Sequence, residues 1–291
     1  MNGMGEKKME LGDNKGVKNK KRKFVIIACI ALVVLVAILT ISLVYINRKK
    51  PLVGSALIDV GGHKVSVSAS GEGKTPIVLI NGFGQISERS WLMVKEDMSK
   101  LSKVITFDRP GLGKSEKVSG ARTSDKKAEE MHAMLKKTAI KGPYILVAHS
   151  AGGFEARLFA SKYPKEVAGI ILLDATPEDY ILNAEKYMSQ NELTSMKAAK
   201  TPDGNFNDLV KSAEQVKAAR SSMKNIPLIV IAGGKKPDPA MRENWLKMQK
   251  DVTALSSKSK FVLAENSDHW VMLDSYKDVI AAVKDMLNMV K

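Results

Sequence analysis

Residues Tyr144-Ile-Leu-Val-Ala-His-Ser-Ala-Gly-Gly153 carry an apolar strand pattern straight into a serine, and a helix-compatible stretch begins directly after it. A strand–turn–helix elbow of this kind exposes the hydroxyl of Ser150 at a helix N-terminus, where free N–H groups and the helix dipole favour developing negative charge. Such a turn is tight, so positions 148 and 152 must be small, and they are Ala148 and Gly152. A serine hydroxyl is a weak nucleophile at neutral pH and needs a neighbouring base to take its proton. The chain offers four histidines, His63, His132, His149 and His269. His63 falls in an early hairpin and His132 in a Lys-rich helix, which places both at the surface. His149 adjoins Ser150, but neighbours in a turn point in different directions, so it reads as a packing or pocket residue. His269 lies in Glu265-Asn-Ser-Asp-His-Trp270, between the last strand pattern and the final helix.

The elements that must hold these residues alternate along the chain. Strand patterns fall at Ala56–Val60, Lys64–Ala69, Ile77–Ile80, Val104–Phe107, Tyr144–Ala148, Val167–Leu173, Leu228–Ala232 and Phe261–Leu263. The first two flank Gly61-Gly62, a hairpin signal. The later ones are near-continuous apolar runs, as strands buried on both faces of a parallel sheet require. Helical stretches are predicted at Ser87–Leu101, Ser124–Thr138, Ala151–Lys162, Ala240–Leu255 and Ser275–Val290. Strand–helix alternation means an α/β fold. Between Pro177 and Asn225 no strand pattern appears, and a structureless loop of that length is uncommon in a compact domain. A small helical cap over about residues 177–225 is the better reading.

These features together resemble the α/β-hydrolase superfamily over about residues 56–291. The resemblance implies a mostly parallel, doubly wound sheet with a small helical cap. The chain reads A-H-S-A-G where the family usually has G-x-S-x-G, a mild departure at a site that needs small size. In the family's chain order Ser…Asp…His, His269 stands where the base belongs. Asn81-Gly-Phe-Gly84 resembles the oxyanion loop, with Phe83 supplying one backbone N–H and Ala151 the other. Asn81 stands where the family commonly has His. The acid is Asp174, after the strand before the cap, or Asp238, two residues past the usual position, which falls on Lys236. Asp174 is preferred, with a cap-anchoring hydrogen bond as its structural alternative. Asp108-Arg-Pro-Gly-Leu-Gly-Lys-Ser115 matches a family turn and is not a phosphate loop, because the first glycine of that motif would have to be residue 108.

The implied chemistry is hydrolysis of a carboxylic ester through an acyl-enzyme, acting on a small-molecule acyl substrate with no metal or organic cofactor. An aminopeptidase or amidase on the same residues is the alternative enzyme. A non-catalytic binding protein that keeps the elbow as architecture is the alternative of a different class. Serine in place of aspartate at the elbow argues against dehalogenase or epoxide-hydrolase chemistry.

Charge and hydropathy add a location. The formal net charge is +15, but residues 1–50 hold 11 Lys/Arg against 3 acidic residues, more than half of the excess. That basic cluster borders Phe24–Tyr45, which contains no charged residue. As a helix those residues span about 33 Å, enough for a hydrocarbon core of about 30 Å. We therefore expect a basic cytoplasmic tail (1–23), a transmembrane helix (24–46) contacting the lipid bilayer, a linker (47–55) and an exported domain (56–291). Basic residues number eight before the apolar run and three after it, which favours a cytoplasmic N-terminus. A cleaved signal peptide would have a shorter apolar stretch ending in small residues. The remaining positive charge is dispersed and lacks interleaved aromatics, so no nucleic-acid partner is expected. The lone thiol, Cys29, excludes an intramolecular disulfide.

Overall fold

Alternate residues of the central strands sort to opposite faces. Val78, Ile80, Leu146 and Ala148 join one buried apolar cluster, whereas Ile77, Leu79, Ile145 and Val147 join another. Successive side chains on a strand point to opposite faces, so an unbroken apolar run is stable only where both faces are covered. The computed structural model describes residue 36 and residues 51–291. The expected tail 1–23 and, residue 36 apart, the expected membrane span 24–46 lie outside the described residues. Among the described residues no helix is long and apolar enough to cross a membrane.

Ten strands are present among the described residues: β1 (Gly54–Asp59), β2 (Lys64–Ser70), β3 (Ile77–Ile80), β4 (Val104–Phe107), β5 (Tyr144–His149), β6 (Val167–Leu173), β7 (Lys200–Thr201), β8 (Gly204–Asn205), β9 (Leu228–Gly233) and β10 (Ser259–Ala264). Eight form one sheet in the order β1-β2-β4-β3-β5-β6-β9-β10. β2 is antiparallel to both its neighbours and the rest of the sheet is parallel. The α/β architecture with a mostly parallel sheet is the one the alternating pattern predicts. β1 starts at Gly54, inside the segment read as linker.

Among residues 51–291 the α-helices are α1 (Ser87–Ser90), α2 (Lys95–Leu101), α3 (Ser124–Thr138), α4 (Gly152–Lys162), α5 (Glu178–Leu182), α6 (Ala184–Tyr187), α7 (Gln190–Ala198), α8 (Phe206–Ala218), α9 (Pro239–Thr253), α10 (Val271–Asp274) and α11 (Tyr276–Met289). The single helix expected over Ser87–Leu101 is two, with a turn at Trp91–Val94. Trp91 is fully buried there and its indole N–H donates to Asn81 Oδ1 at 2.6 Å. α5 to α8 form the cap. It is not wholly helical: Thr201-Pro-Asp-Gly204 makes the β7–β8 hairpin turn, with Gly204 at φ +126°. Arg157 of α4 pairs in two hydrogen bonds with Glu178, at 2.7 and 2.9 Å, and Arg220 reaches the same carboxylate at 2.6 Å. The cap is thus tied to the helix that follows Ser150.

Candidate active site

β5 ends at His149 and delivers Ser150 into a left-handed conformation, φ +53°. Residues other than glycine rarely adopt it, and its occurrence here marks a constrained turn. Asp174, one residue beyond β6, is the second site residue in this region, at φ +40°. The two turns are stitched together. Ser150 N–H donates to Leu173 O at 3.2 Å and Thr176 N–H to Ser150 O at 3.1 Å. The small size required at position 152 has a concrete cause, since a Cβ there would collide with the main-chain oxygen of Asn81.

The third turn, after β10, carries His269. Its Nε2 lies 2.9 Å from Ser150 Oγ and its Nδ1 lies 2.8 Å from Asp174 Oδ2. A carboxylate can only accept, so Nδ1 holds the proton and Nε2 faces the serine with its lone pair. Asp174 is fully buried. Burial pushes its carboxyl upward, but the hydrogen bond from His269, the charge of Lys236 and the Gly233 N–H together hold it below the ordinary value. Its other oxygen accepts from Trp245 Nε1 at 2.7 Å and Gly233 N–H at 2.9 Å.

The structure thus brings Ser150, His269 and Asp174 together and leaves the alternative acid apart. Asp238 caps the N-terminus of α9, accepting from Met241 N–H at 2.7 Å. His149 is fully buried and packs beside His269, with ring centroids 4.6 Å apart. Its Nε2 donates to the carbonyl of His269 at 2.8 Å and its Nδ1 faces the side-chain amide of Gln85 at 3.2 Å. Burial, and then the neighbouring His269, push its imidazole down to about 3, so it stays neutral. His63 and His132 are half-buried and not on the open surface, because each packs beside a carboxylate. His63 lies 3.6 Å from Glu130, while His132 lies 3.2 Å from Glu166 and stacks on Tyr163.

Phe83 and Ala151 line a cavity of about 420 Å³ that Ser150 and His269 also line. Among the described residues neither of their main-chain N–H groups donates to another protein group. Ile181, Met196, Leu209 and Met241 give the cavity an apolar wall. Besides Ser150 and His269, its polar lining is Thr176, Lys236, Glu192 and Tyr180, whose hydroxyl donates to Glu192 at 2.6 Å. Among the described residues no group of three or more His, Cys, Asp or Glu is arranged to hold a metal.

Residues 75–226 match the alpha/beta hydrolase fold family, which is more than half of the chain. The chain belongs to that family. An uncharacterized protein, YqjL, of Bacillus subtilis is 28% identical over 221 residues, which cover 74% of this chain and 85% of that protein. The (lyso)-N-acylphosphatidylethanolamine lipase of Mus musculus is 32% identical over 113 residues, 38% of this chain and 33% of the lipase. Among solved structures, a thermophilic esterase from Thermogutta terrifontis superposes with a TM-score of 0.62 at 18% identity, covering 81% of this chain and 98% of the esterase. At that identity the likeness shows the fold alone.

Several residues that shape this hydrolase site are not readable as such from the sequence. Lys236 donates to Asp174 Oδ2 at 2.9 Å, from the position where family counting would put the acid. Trp245 and Gln85 lie in ordinary helix and loop sequence, with no motif to mark them. Arg109 is visible in the Asp108-Arg-Pro-Gly turn, but its partner Asp203 sits in a Pro-Asp-Gly segment that reads as a plain surface turn.

Proposed function

We propose that this protein is a serine hydrolase that cleaves carboxylic esters of small or lipid-like acyl groups through a covalent acyl-enzyme. One observation carries the reading: His269 spans 2.9 Å to Ser150 Oγ on one side and 2.8 Å to Asp174 on the other. With its Nδ1–H held by a buried carboxylate, the imidazole can take the serine proton at Nε2 as Oγ attacks the ester carbonyl. Asp174 then faces an imidazolium, which it stabilises by charge. The N–H groups of Phe83 and Ala151 meet the oxyanion of the tetrahedral intermediate. Collapse of that intermediate breaks the bond to the alcohol oxygen, which receives the proton from His269. Water, deprotonated by the same nitrogen, attacks the acyl-enzyme and releases the acid with Ser150 restored.

The apolar wall of Ile181, Met196, Leu209 and Met241 supports an acyl chain in this cavity. Its volume lies at the lower end of the range for small-molecule sites. The test is labelling with a fluorophosphonate, which reacts with an activated serine, alongside a Ser150→Ala control. Turnover is then measured on a panel of p-nitrophenyl acyl esters and aminoacyl amides. Labelling lost in the control, with ester turnover, supports the proposal. Turnover of amides alone would make the protein an amidase, and absence of labelling in folded protein would make it a binding module.

We also propose that residues 24–46 anchor the protein in the cell membrane with residues 1–23 cytoplasmic and the hydrolase domain outside. The charge-free apolar run and its basic flank support this. Protease added to intact cells should digest the domain; full protection would reverse the topology.

A further inference from the structure

A buried charge cluster beside the site has no part in the proton transfers above, and it centres on Asp203 in the turn of the cap hairpin. The Asp203 side chain is fully enclosed. Its Oδ1 accepts from Arg109 Nε at 2.9 Å and from Lys127 Nζ at 3.0 Å. Its Oδ2 accepts from Arg109 Nη2 at 2.8 Å and from the main-chain N–H of Gly84 at 3.0 Å. Arg109 directs its other donors at the carbonyls of Asn81, at 2.9 Å, and Gly82, and at Glu155. Gly82 N–H in turn donates to Gln85 Oε1 at 3.1 Å. The carbonyls of residues 81 and 82 and the N–H groups of residues 82 and 84 are all held. The peptide N–H of Phe83 lies between them.

A buried carboxylate costs several kcal/mol in desolvation, and an apolar residue could serve as a spacer without that penalty. The cap, moreover, has a separate charged attachment in the Arg157–Glu178–Arg220 group. What Asp203 adds is a grip on the loop itself, direct at Gly84 and through Arg109 at Asn81 and Gly82. Arg109 presents its donors in a rigid fork, so fixing the guanidinium fixes both carbonyls at once.

We infer that Asp203 is a positioning residue for the oxyanion loop, making the alignment of the Phe83 N–H depend on the docked cap hairpin. The inference rests on the acyl-transfer reading above. Pre-aligned donors stabilise an oxyanion because they need no reorganisation as charge develops, so a loosened loop weakens the transition state more than the ground state.

The experiment uses the full chain and separates kcat from KM on p-nitrophenyl esters for wild type, Asp203→Asn and Thr201→Ala. Asparagine keeps the shape and an acceptor for Gly84 but removes the charge that orders Arg109. Thr201 Oγ1 accepts from Asp203 N–H at 3.1 Å, so its loss loosens Asp203 without exposing a buried charge. We expect Asp203→Asn to lower kcat about 10²-fold, the scale of one oxyanion donor. KM should stay within about threefold, the pattern of an interaction made in the transition state. Thr201→Ala should show a smaller loss in the same direction. It decides the matter if Asp203→Asn does not fold. Deuterium exchange over residues 81–85 should quicken in both variants. If folded variants keep wild-type kcat, or lose only KM, the inference falls and Asp203 is cap adhesive alone. If wild type itself neither labels nor turns over any ester, the hydrolase reading has failed instead.

Discussion

Lys236 Nζ and His269 Nδ1 approach the same carboxylate oxygen, Asp174 Oδ2, at 2.9 and 2.8 Å. With Trp245 and Gly233 on the other oxygen, Asp174 accepts four hydrogen bonds while itself fully buried. The carboxylate is therefore fixed in place as well as ionised. The lysine occupies the position after β9 where relatives commonly carry the acid. Under the proposed mechanism the acid stands one strand over from that position, with a cation beside it.

That arrangement separates the two candidate acids by experiment. Asp174→Asn should lower kcat by about 10³- to 10⁴-fold, because an amide can hold the wrong tautomer of His269. Asp238→Ala should cost about 1 kcal/mol of stability as a lost helix cap, with turnover within about twofold of wild type. Lys236→Met removes one charged donor from a buried carboxylate and should destabilise the fold by about 1.5–3 kcal/mol at pH 7. Urea unfolding and steady-state kinetics on the three variants check all of this. Equal, small losses of turnover at 174 and 238 would dissolve the proposed triad.

The fold was legible because burial on both faces leaves a strong mark: Ile77–Ile80 and Val167–Leu173 are apolar throughout, Val104–Phe107 is so but for Thr106, and their strands fall where the sequence puts them. Ser150 and His269 stood out because a strand–turn–helix junction and a position before the last helix are local features. The surroundings of Asp174 are not local, since the parallel contact of β6 with β9 brings Gly233 and Lys236 to it. The break at Trp91–Val94 and the β7–β8 hairpin escaped because each depends on a tertiary partner, Asn81 for the first and Arg109 for the second.

His149 makes a pH dependence of known sign. Its imidazole is pushed down to about 3 in the folded protein and returns to an ordinary value on unfolding. Below about pH 6.5 the unfolded chain takes up a proton that the folded chain does not. Stability attributable to this residue is therefore complete above that pH and falls by about 1.4 kcal/mol per pH unit on the way down towards 3. His149→Asn should be less stable at pH 7, through the lost hydrogen bond to His269 O, but its stability should vary less steeply between pH 6.5 and 4. Denaturant midpoints at half-unit intervals measure the two slopes. Parallel slopes would mean that His149 charges freely in the folded state.

Gly152 tests whether elbow and oxyanion loop share one packing constraint. An added Cβ meets the Asn81 and Ile80 carbonyl oxygens, which are backbone atoms and cannot swing aside as a flexible side chain can. Gly152→Ala should therefore displace the loop carrying Phe83, or the turn carrying Ser150, and cost about 1–3 kcal/mol as overpacking. Its kcat should fall further than its thermal stability suggests, since both displaced segments bear on the oxyanion. A folded Gly152→Ala enzyme with native kcat would show that the contact is slack.

The cavity wall sets a limit on the acyl group that substitution can move. Leu209 on α8 and Met196 on α7 face the space next to Ser150 from the cap side. An ester bound for attack must put its carbonyl carbon at Ser150 Oγ and its carbonyl oxygen between Phe83 and Ala151. The acyl chain then has the apolar cavity to enter, where each buried methylene contributes about 0.8 kcal/mol. Leu209→Trp fills part of that space from the far side while leaving the reacting atoms alone. Acetyl ester turnover should hold, whereas kcat/KM for octanoyl esters should drop about tenfold or more relative to it, the scale of one or two excluded methylenes. If both esters fall by the same factor, the acyl chain lies elsewhere and the cavity receives the alcohol. In that event chain-length dependence should appear when the alcohol is varied at constant acyl group, which the same variant can report.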